Sequence, residues 1–292
     1  MPNTQTLLCN AYKKLTSAKI NSAHLDAELL LSFTIKKTRE YILAHQDKKI
    51  TKKQADKFNN LIRQRAKLVP VAYLINMKEF YGREFFIDER VLVPRPETEL
   101  FIDELRIKNY ELGITTNIID IGVGSGCIII SLVKELEKNR NMKFFAIDIS
   151  KDALTVARKN ARLHSVDKKI QFLHGNLLAP FLKNQSLVTC NLILVANLPY
   201  LTSTQIKQSP SIKHEPKLAL TAGKDGLKYY RELAEQIKEL IKINPEIKIT
   251  LLCEIDPTQV KSMKKIFSFA KKAEIKKDLA GLDRIVVIKL YN

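Results

Sequence analysis

From residue 117 to the C-terminus, short apolar runs alternate with longer stretches whose apolar residues recur at helical spacing. The runs fall at 117–121, 143–148, 169–173, 191–196 and 248–254. Each is short and mostly apolar, most clearly the aliphatic run Leu192-Ile193-Leu194-Val195. That pattern predicts strands buried on both faces of a parallel sheet. Helical stretches between successive strands predict right-handed βα crossovers and an α/β fold. Two further strand-like segments, 273–277 and 284–290, end the chain.

Residues 1–75 follow a different rhythm. Leu25, Leu29, Leu30 and Phe33 recur at helical intervals, as do Phe58, Leu61 and Ile62, and Asn21-Ser22 is placed to cap the second helix. The segment holds no strand pattern, so it reads as a small helical bundle, either a substrate-recognition module or a structural cap. Between the two regions, Phe80–Ile87 and Val91–Val93 suggest a hairpin with Asp88-Glu89-Arg90 at its turn. Pro94-Arg95-Pro96-Glu97-Thr98 then starts a helix, where a proline is tolerated near the first turn. The expected organisation is a helical domain over 1–75, a hairpin linker over 76–94 and an α/β domain over 95–292.

Composition narrows the class. With 292 residues the chain has room for one large and one small domain. Its 45% hydrophobic and 27% charged residues are those of an ordinary globular protein. No apolar run is long enough for a membrane span, and the N-terminus has no signal-peptide pattern. Cys9, Cys127, Cys190 and Cys253 are too scattered for a zinc site or disulfide framework, and five scattered histidines suggest no metal site. A cytoplasmic monomer is expected. The net charge of +18 raises the question of a nucleic-acid partner, and residues 1–75 alone carry 14 Lys or Arg against 5 Asp or Glu. These charges come in dispersed pairs such as Lys13-Lys14 and Lys52-Lys53, without interleaved aromatics. Solvated helix faces are the preferred reading.

Three segments carry chemistry. Gly122-Val123-Gly124-Ser125-Gly126 follows the first strand of the sheet and opens a helix, which lets a ligand approach backbone N–H groups at the helix start. Asp148 ends the second strand, where a carboxylate can accept from both ribose hydroxyls of a nucleoside. This spacing does not by itself separate NAD from another adenosine cofactor. Two details lean away from NAD: the loop is Gly-x-Gly-x-Gly, and Asp120 ahead of it could meet an ammonium group. Asn197-Leu198-Pro199-Tyr200 ends the fourth strand. The asparagine can accept with its side-chain oxygen, Pro199 holds Leu198 extended so that its carbonyl keeps one direction, and Tyr200 offers a flat face. Two carbonyl acceptors and an aromatic face suit a planar NH2 group. A plain strand-ending turn is the alternative for the tetrapeptide taken alone.

Together these segments resemble the class I S-adenosylmethionine methyltransferases, whose seven-stranded Rossmann-like sheet has an antiparallel seventh strand. Further segments resemble the release factor glutamine N5-methyltransferase (PrmC/HemK) family across nearly the whole chain. They are Asp26-Ala27-Glu28-Leu29-Leu30-Leu31, Pro70-Val71-Ala72-Tyr73-Leu74, Glu79-Phe80-Tyr81-Gly82, Val93-Pro94-Arg95-Pro96-Glu97-Thr98-Glu99, Glu215-Pro216-Lys217-Leu218-Ala219-Leu220 with Asp225-Gly226, and Lys277-Asp278-Leu279-Ala280-Gly281. The resemblance implies S-adenosyl-L-methionine as cofactor, held by Gly122, Val123, Gly124, Ser125, Gly126, Asp148, Leu177 and Asn197. It implies peptide-chain release factors as protein substrates, with Asn197, Leu198, Pro199 and Tyr200 gripping the glutamine and Asn197, Pro199 and Tyr200 in the catalytic roles. Two positions depart from the family pattern. Leu198 replaces the first proline of Asn-Pro-Pro-Tyr, and Asn176 in Gly175-Asn176-Leu177-Leu178 stands where many members have Asp. Because Asn-Leu-Pro-Tyr also resembles the motif of rRNA adenine dimethyltransferases, N6-adenine methylation of RNA or DNA is the alternative.

Overall fold

The computed structural model describes residues 1–106, 115–137, 141–188 and 191–291; Cys190 therefore lies outside the described residues. The chain divides into two compact units, one of Met1–Met77 with Gln208–His214 and one of Lys78–Lys207 with Glu215–Asn292.

In the first unit, helices α1 (Thr4–Ser17), α2 (Ala23–Ile35), α3 (Arg39–Ala44), α4 (Lys52–Ala66) and α5 (Val71–Ile75) enclose one apolar core. Helix α4 begins with a capping box between Thr51 and Gln54, which satisfies amides that would otherwise lack partners. Phe58, Leu61 and Ile62 are buried as their spacing predicts. The face of α2 is another matter. Leu25 and Phe33 are exposed, and the helix instead buries Ala23, Ala27, Leu30 and Leu31. This inward face also carries two acids. Asp26 accepts from Arg65 Nε at 2.7 Å, and Glu28 accepts from Arg39 at 2.7 Å and from the Tyr12 hydroxyl at 3.2 Å. Small residues and paired charges, not the largest apolar side chains, select the face. Nor does Ser22 cap α2 through its side chain, because its hydroxyl donates to Asp26.

The second unit opens with a hairpin of β1 (Lys78–Phe80) and β2 (Arg83–Phe85). Its turn is Tyr81-Gly82, not Asp88–Arg90. Both turn residues have positive φ, 51° and 67°, the twist that a two-residue hairpin requires. Asp88 instead binds Arg90 through both carboxylate oxygens and closes a separate turn to Val91. After α6 (Leu100–Arg106) come β3 (Thr116–Ile121), α7 (Cys127–Leu136), β4 (Met142–Asp148), α8 (Lys151–Leu163), β5 (Ile170–His174), α9 (Ala179–Lys183) and β6 (Asn191–Ala196). There follow α10 (Ser203–Gln208), α11 (Lys228–Ile243), β7 (Lys248–Glu254), α12 (Val260–Ile266), β8 (Lys272–Lys277) and β9 (Asp283–Lys289).

The large sheet has the order β5-β4-β3-β6-β7-β9-β8, and β9 is antiparallel to both of its neighbours. This is the seven-stranded class I arrangement that the sequence resemblance implies. Because β3 lies between β4 and β6, consecutive connections leave it in opposite directions, and open α/β sheets bind ligands at such a switch point. Register then sets the level of the site. Ile121 pairs with Ile147 on one side and with Ala196 on the other, and Ala196 pairs with Cys253. Gly122, Asp148, Asn197 and Glu254, each one residue further on, therefore emerge side by side at one end of the sheet.

Candidate active site

The glycine loop is pinned to the neighbouring strand, since the N–H groups of Gly122 and Val123 both donate to the Ile147 carbonyl, at 2.8 and 3.0 Å. Gly126, at φ 83°, is the N-cap of α7. A Cβ there would press within 3.3 Å of the Ala157 backbone, so this glycine lets α7 lie against α8. Gly122, Val123, Gly124 and Ser125 line a cavity at the switch point; Gly126 does not.

Asp148 lines the same cavity. Its Oδ2 accepts from the Gly124 amide at 3.0 Å and its Oδ1 from the Ser150 amide at 2.8 Å. Burial pushes its carboxyl above the ordinary carboxylate range, and these amide donors hold it back. Ile149 and Leu177 supply apolar walls; Leu177 sits in the left-handed region at φ 49°. Asp120 is absent from the lining. Strand alternation sets it on the face opposite Ile119 and Ile121, and its Oδ2 accepts from the Ile129 amide of α7 at 3.2 Å. Enclosure pushes its carboxyl up to about 7 and leaves Oδ1 without a hydrogen-bond partner. The expectation that Asp120 meets a ligand's ammonium group is thereby corrected: its contact is with the helix.

Asn197, Leu198 and Pro199 line the cavity beside Asp148. The Asn197 Nδ2 donates to Thr98 Oγ1 at 3.2 Å, and the Thr98 hydroxyl donates to Glu254 Oε2 at 2.7 Å. Tyr200 completes the chain from the other side, its hydroxyl donating to Glu254 Oε1 at 3.1 Å. The Tyr200 ring packs against the sheet core and is not among the lining residues. Burial pushes the Tyr200 phenol up, and the neighbouring Glu254 charge adds to the shift. Glu254 is itself 1% exposed. Burial raises its pKa, opposed by the Thr98 and Tyr200 hydroxyls. Thr98 and Glu254 acquire roles here that the sequence alone did not give them. The hints were an acid at the end of the β7 run and the place of Thr98 in the Val93–Glu99 segment that carries the family resemblance.

The segment after the tetrapeptide is built on close backbone approach. Leu201 N donates to the Leu220 carbonyl, and the Gln259 amide bridges the Tyr200 and Asp225 carbonyls at 3.1 and 3.2 Å. Gly226, at φ 74°, fits beneath Tyr200 only because it has no Cβ. Arg95 also lines the cavity and pairs with Glu215 Oε1 at 2.5 Å, while Glu215 Oε2 accepts from the Val93 amide at 3.1 Å. Among the described residues, no group of three or more His, Cys, Asp or Glu side chains is placed to hold a metal ion, and no helix is long and apolar enough to cross a membrane.

Comparison with known proteins gives this geometry its context. The PrmC N-terminal domain family matches residues 6–75, and a methyltransferase domain family matches residues 114–275. The release factor glutamine methyltransferase of Bacillus cereus is 33% identical, with the match covering 90% of this chain and 91% of that protein. That of Dictyoglomus turgidum is 35% identical over 94% of each. The bifunctional methyltransferase of Rickettsia felis is 34% identical over 98% of this chain, which spans only 58% of that protein's length. Among solved structures, the hMettl16 catalytic domain in complex with MAT2A 3'UTR hairpin 6 has a TM-score of 0.52 at 14% identity, covering 83% of each chain, a likeness of fold. By these matches over both units, the chain belongs to the release factor glutamine methyltransferase family.

Proposed function

We propose that this protein transfers a methyl group from S-adenosyl-L-methionine to the side-chain N5 of a glutamine in peptide-chain release factors. The observation that carries this reading is the Asn197 amide. Its Nδ2 is committed to Thr98, so its Oδ1 remains to accept from an NH2 group in the cavity shared with the glycine loop and Asp148. The identity of the NH2 group as a glutamine amide is supported by the relatives, which match this chain over nearly their whole length.

The lining residues fit the cofactor. The Asp148 carboxylate suits a pair of ribose hydroxyls, Ile149 and Leu177 suit a flat base, and backbone without Cβ at Gly122 and Gly124 allows close approach. When bound, the cofactor supplies an electrophilic methyl group. An amide nitrogen is a weak nucleophile because its lone pair is delocalised into the carbonyl. Asn197 Oδ1 and the Leu198 carbonyl, accepting its two N–H bonds, turn that lone pair toward the methyl and favour the positive charge that develops. No carboxylate base is needed if the proton leaves after transfer.

The test is Asn197→Ala in the full chain. Single-turnover transfer to a release factor should fall to near background while calorimetric cofactor affinity stays close to that of the parent protein. A variant that transfers at the parent rate would reduce the tetrapeptide to a strand-ending turn.

A further inference from the structure

We infer that Glu254 and Thr98 are positioning residues that set which way round the Asn197 amide sits. This rests on the reading that Asn197 grips the acceptor nitrogen. The two ends of an asparagine amide have nearly the same shape, so packing alone does not choose between them; hydrogen-bond polarity does. A carboxylate only accepts, and a threonine hydroxyl has a single proton to give. Glu254 Oε2 lies 2.7 Å from the hydroxyl of Thr98; Thr98 and Asn197 line the cavity, and Glu254, buried and absent from the lining, stands behind them. Thr98 spends its proton there and can then only accept from Asn197. The amide must therefore present Nδ2 to Thr98, at 3.2 Å, and turn Oδ1 toward the acceptor. Tyr200 donates to the second carboxylate oxygen, so both oxygens receive O–H donors and the direction of the chain is set from both sides.

The three groups come from distant parts of the sequence. Thr98 lies within the short helical turn Pro96–Glu99, Asn197 directly follows β6 and Glu254 ends β7. Sheet register brings the last two together, because Ala196 pairs with Cys253. Were the amide reversed, Oδ1 would face a Thr98 lone pair and the NH2 would face the N–H bonds of the acceptor. Both contacts would then be of like polarity. Glu254 touches neither substrate nor cofactor in this account; it acts only through Thr98 and Asn197.

The experiment is a double-mutant cycle of Thr98→Val and Glu254→Gln, with Thr98→Ser as the conservative variant, all in the full chain. Valine keeps the shape of threonine and removes the hydroxyl, whereas glutamine can donate where the carboxylate only accepted. Each single change should slow single-turnover transfer by about 10- to 100-fold, the usual cost of one buried polar mismatch, with cofactor affinity and KM for the release factor near parent values. Thr98→Ser should stay within about threefold, and the double variant should be no slower than the slower single, since both act on one chain of contacts. Thermal midpoints and cofactor affinity would expose a folding defect. If the parent protein methylates adenine in place of glutamine, the proposed function fails and the same cycle is run on that NH2 acceptor. Nitrogen-15 spectra supply a readout independent of turnover. The Asn197 side-chain amide, assigned by its loss in Asn197→Ala, should show one slowly exchanging proton that disappears in Thr98→Val. Transfer by Thr98→Val or Glu254→Gln within threefold of the parent, rate losses that multiply in the double variant, or an Asn197 amide unchanged by Thr98→Val would each overturn the inference.

Discussion

Replacing Gly226 by alanine isolates the contribution of one close backbone approach to the site, because Gly223 offers a matched control. Both glycines are in the left-handed region, at φ 74° and 82°, so each alanine costs about 1–2 kcal/mol from backbone strain. Their surroundings differ. A Cβ on Gly223 would meet the Lys228 Cβ at 3.6 Å, an ordinary contact. A Cβ on Gly226 would lie 2.0 Å from the Tyr200 carbonyl oxygen and 2.6 Å from Gln259 Nε2. Real contacts stay above 3.0 Å, so residue 226 and the Tyr200 carbonyl must separate by about 1 Å. That movement stretches the Gln259 bridge to Tyr200 and Asp225 and adds about 1–3 kcal/mol of overpacking. For an extra ~2 kcal/mol, Gly226→Ala should melt roughly 4–8 °C below Gly223→Ala. Because the displaced carbonyl belongs to the tetrapeptide, its single-turnover transfer should also fall by about 100-fold, the penalty of a 1 Å misplacement, while Gly223→Ala remains near the parent rate. Melting curves and rapid-quench transfer on the two variants provide the comparison. Equal midpoints and equal rates would refute the steric argument.

Asp148→Ala should weaken cofactor binding by about 1.5–3 kcal/mol, the value of a hydrogen bond to a charged group. Calorimetry with unchanged affinity would remove Asp148 from the cofactor site. Asp120 has a pH signature. Its folded carboxyl is pushed up to about 7 by burial, against an unfolded value of 3.8, so the folded chain holds a proton that the unfolded chain releases. Stability from this site is therefore full below pH 3.8 and is lost as the pH rises to about 7. Asp120→Asn removes that loss, so its melting temperature relative to the parent should climb between pH 4 and pH 7, by up to about 4 kcal/mol of stability in total; a flat difference across this range would contradict the assignment.

The sheet was readable because most of its strands are written as largely apolar runs; the five parallel strands fall where those runs occur, and the partly exposed β8, Lys-Ala-Glu-Ile-Lys-Lys, is the exception to the pattern. The glycine loop, Asp148 and the tetrapeptide were readable because each directly follows such a run, and register carries them to one end of the sheet. Features that depend on side-chain direction were harder. Helix α2 is apolar on most sides, so Leu25 and Phe33 looked like core, although the Asp26–Arg65 and Glu28–Arg39 pairs turn another face inward. The hairpin turn was misplaced because its strands have only three residues each, and Tyr81 occupies a left-handed position that tyrosine rarely takes. Asp120 looked like a ligand contact until strand alternation put it beneath α7. The chain from Asn197 through Thr98 to Glu254 spans 156 residues between its last two members, and no local pattern encodes a contact of that separation.

Methyl-labelled S-adenosylmethionine, offered to this protein with a release factor and, separately, with rRNA, tests the central claim most directly. Mass spectrometry of the products should place the label on the side-chain nitrogen of one glutamine in the release factor and leave the RNA unlabelled. Label on the N6 of adenine, with the release factor unmodified, would contradict the account.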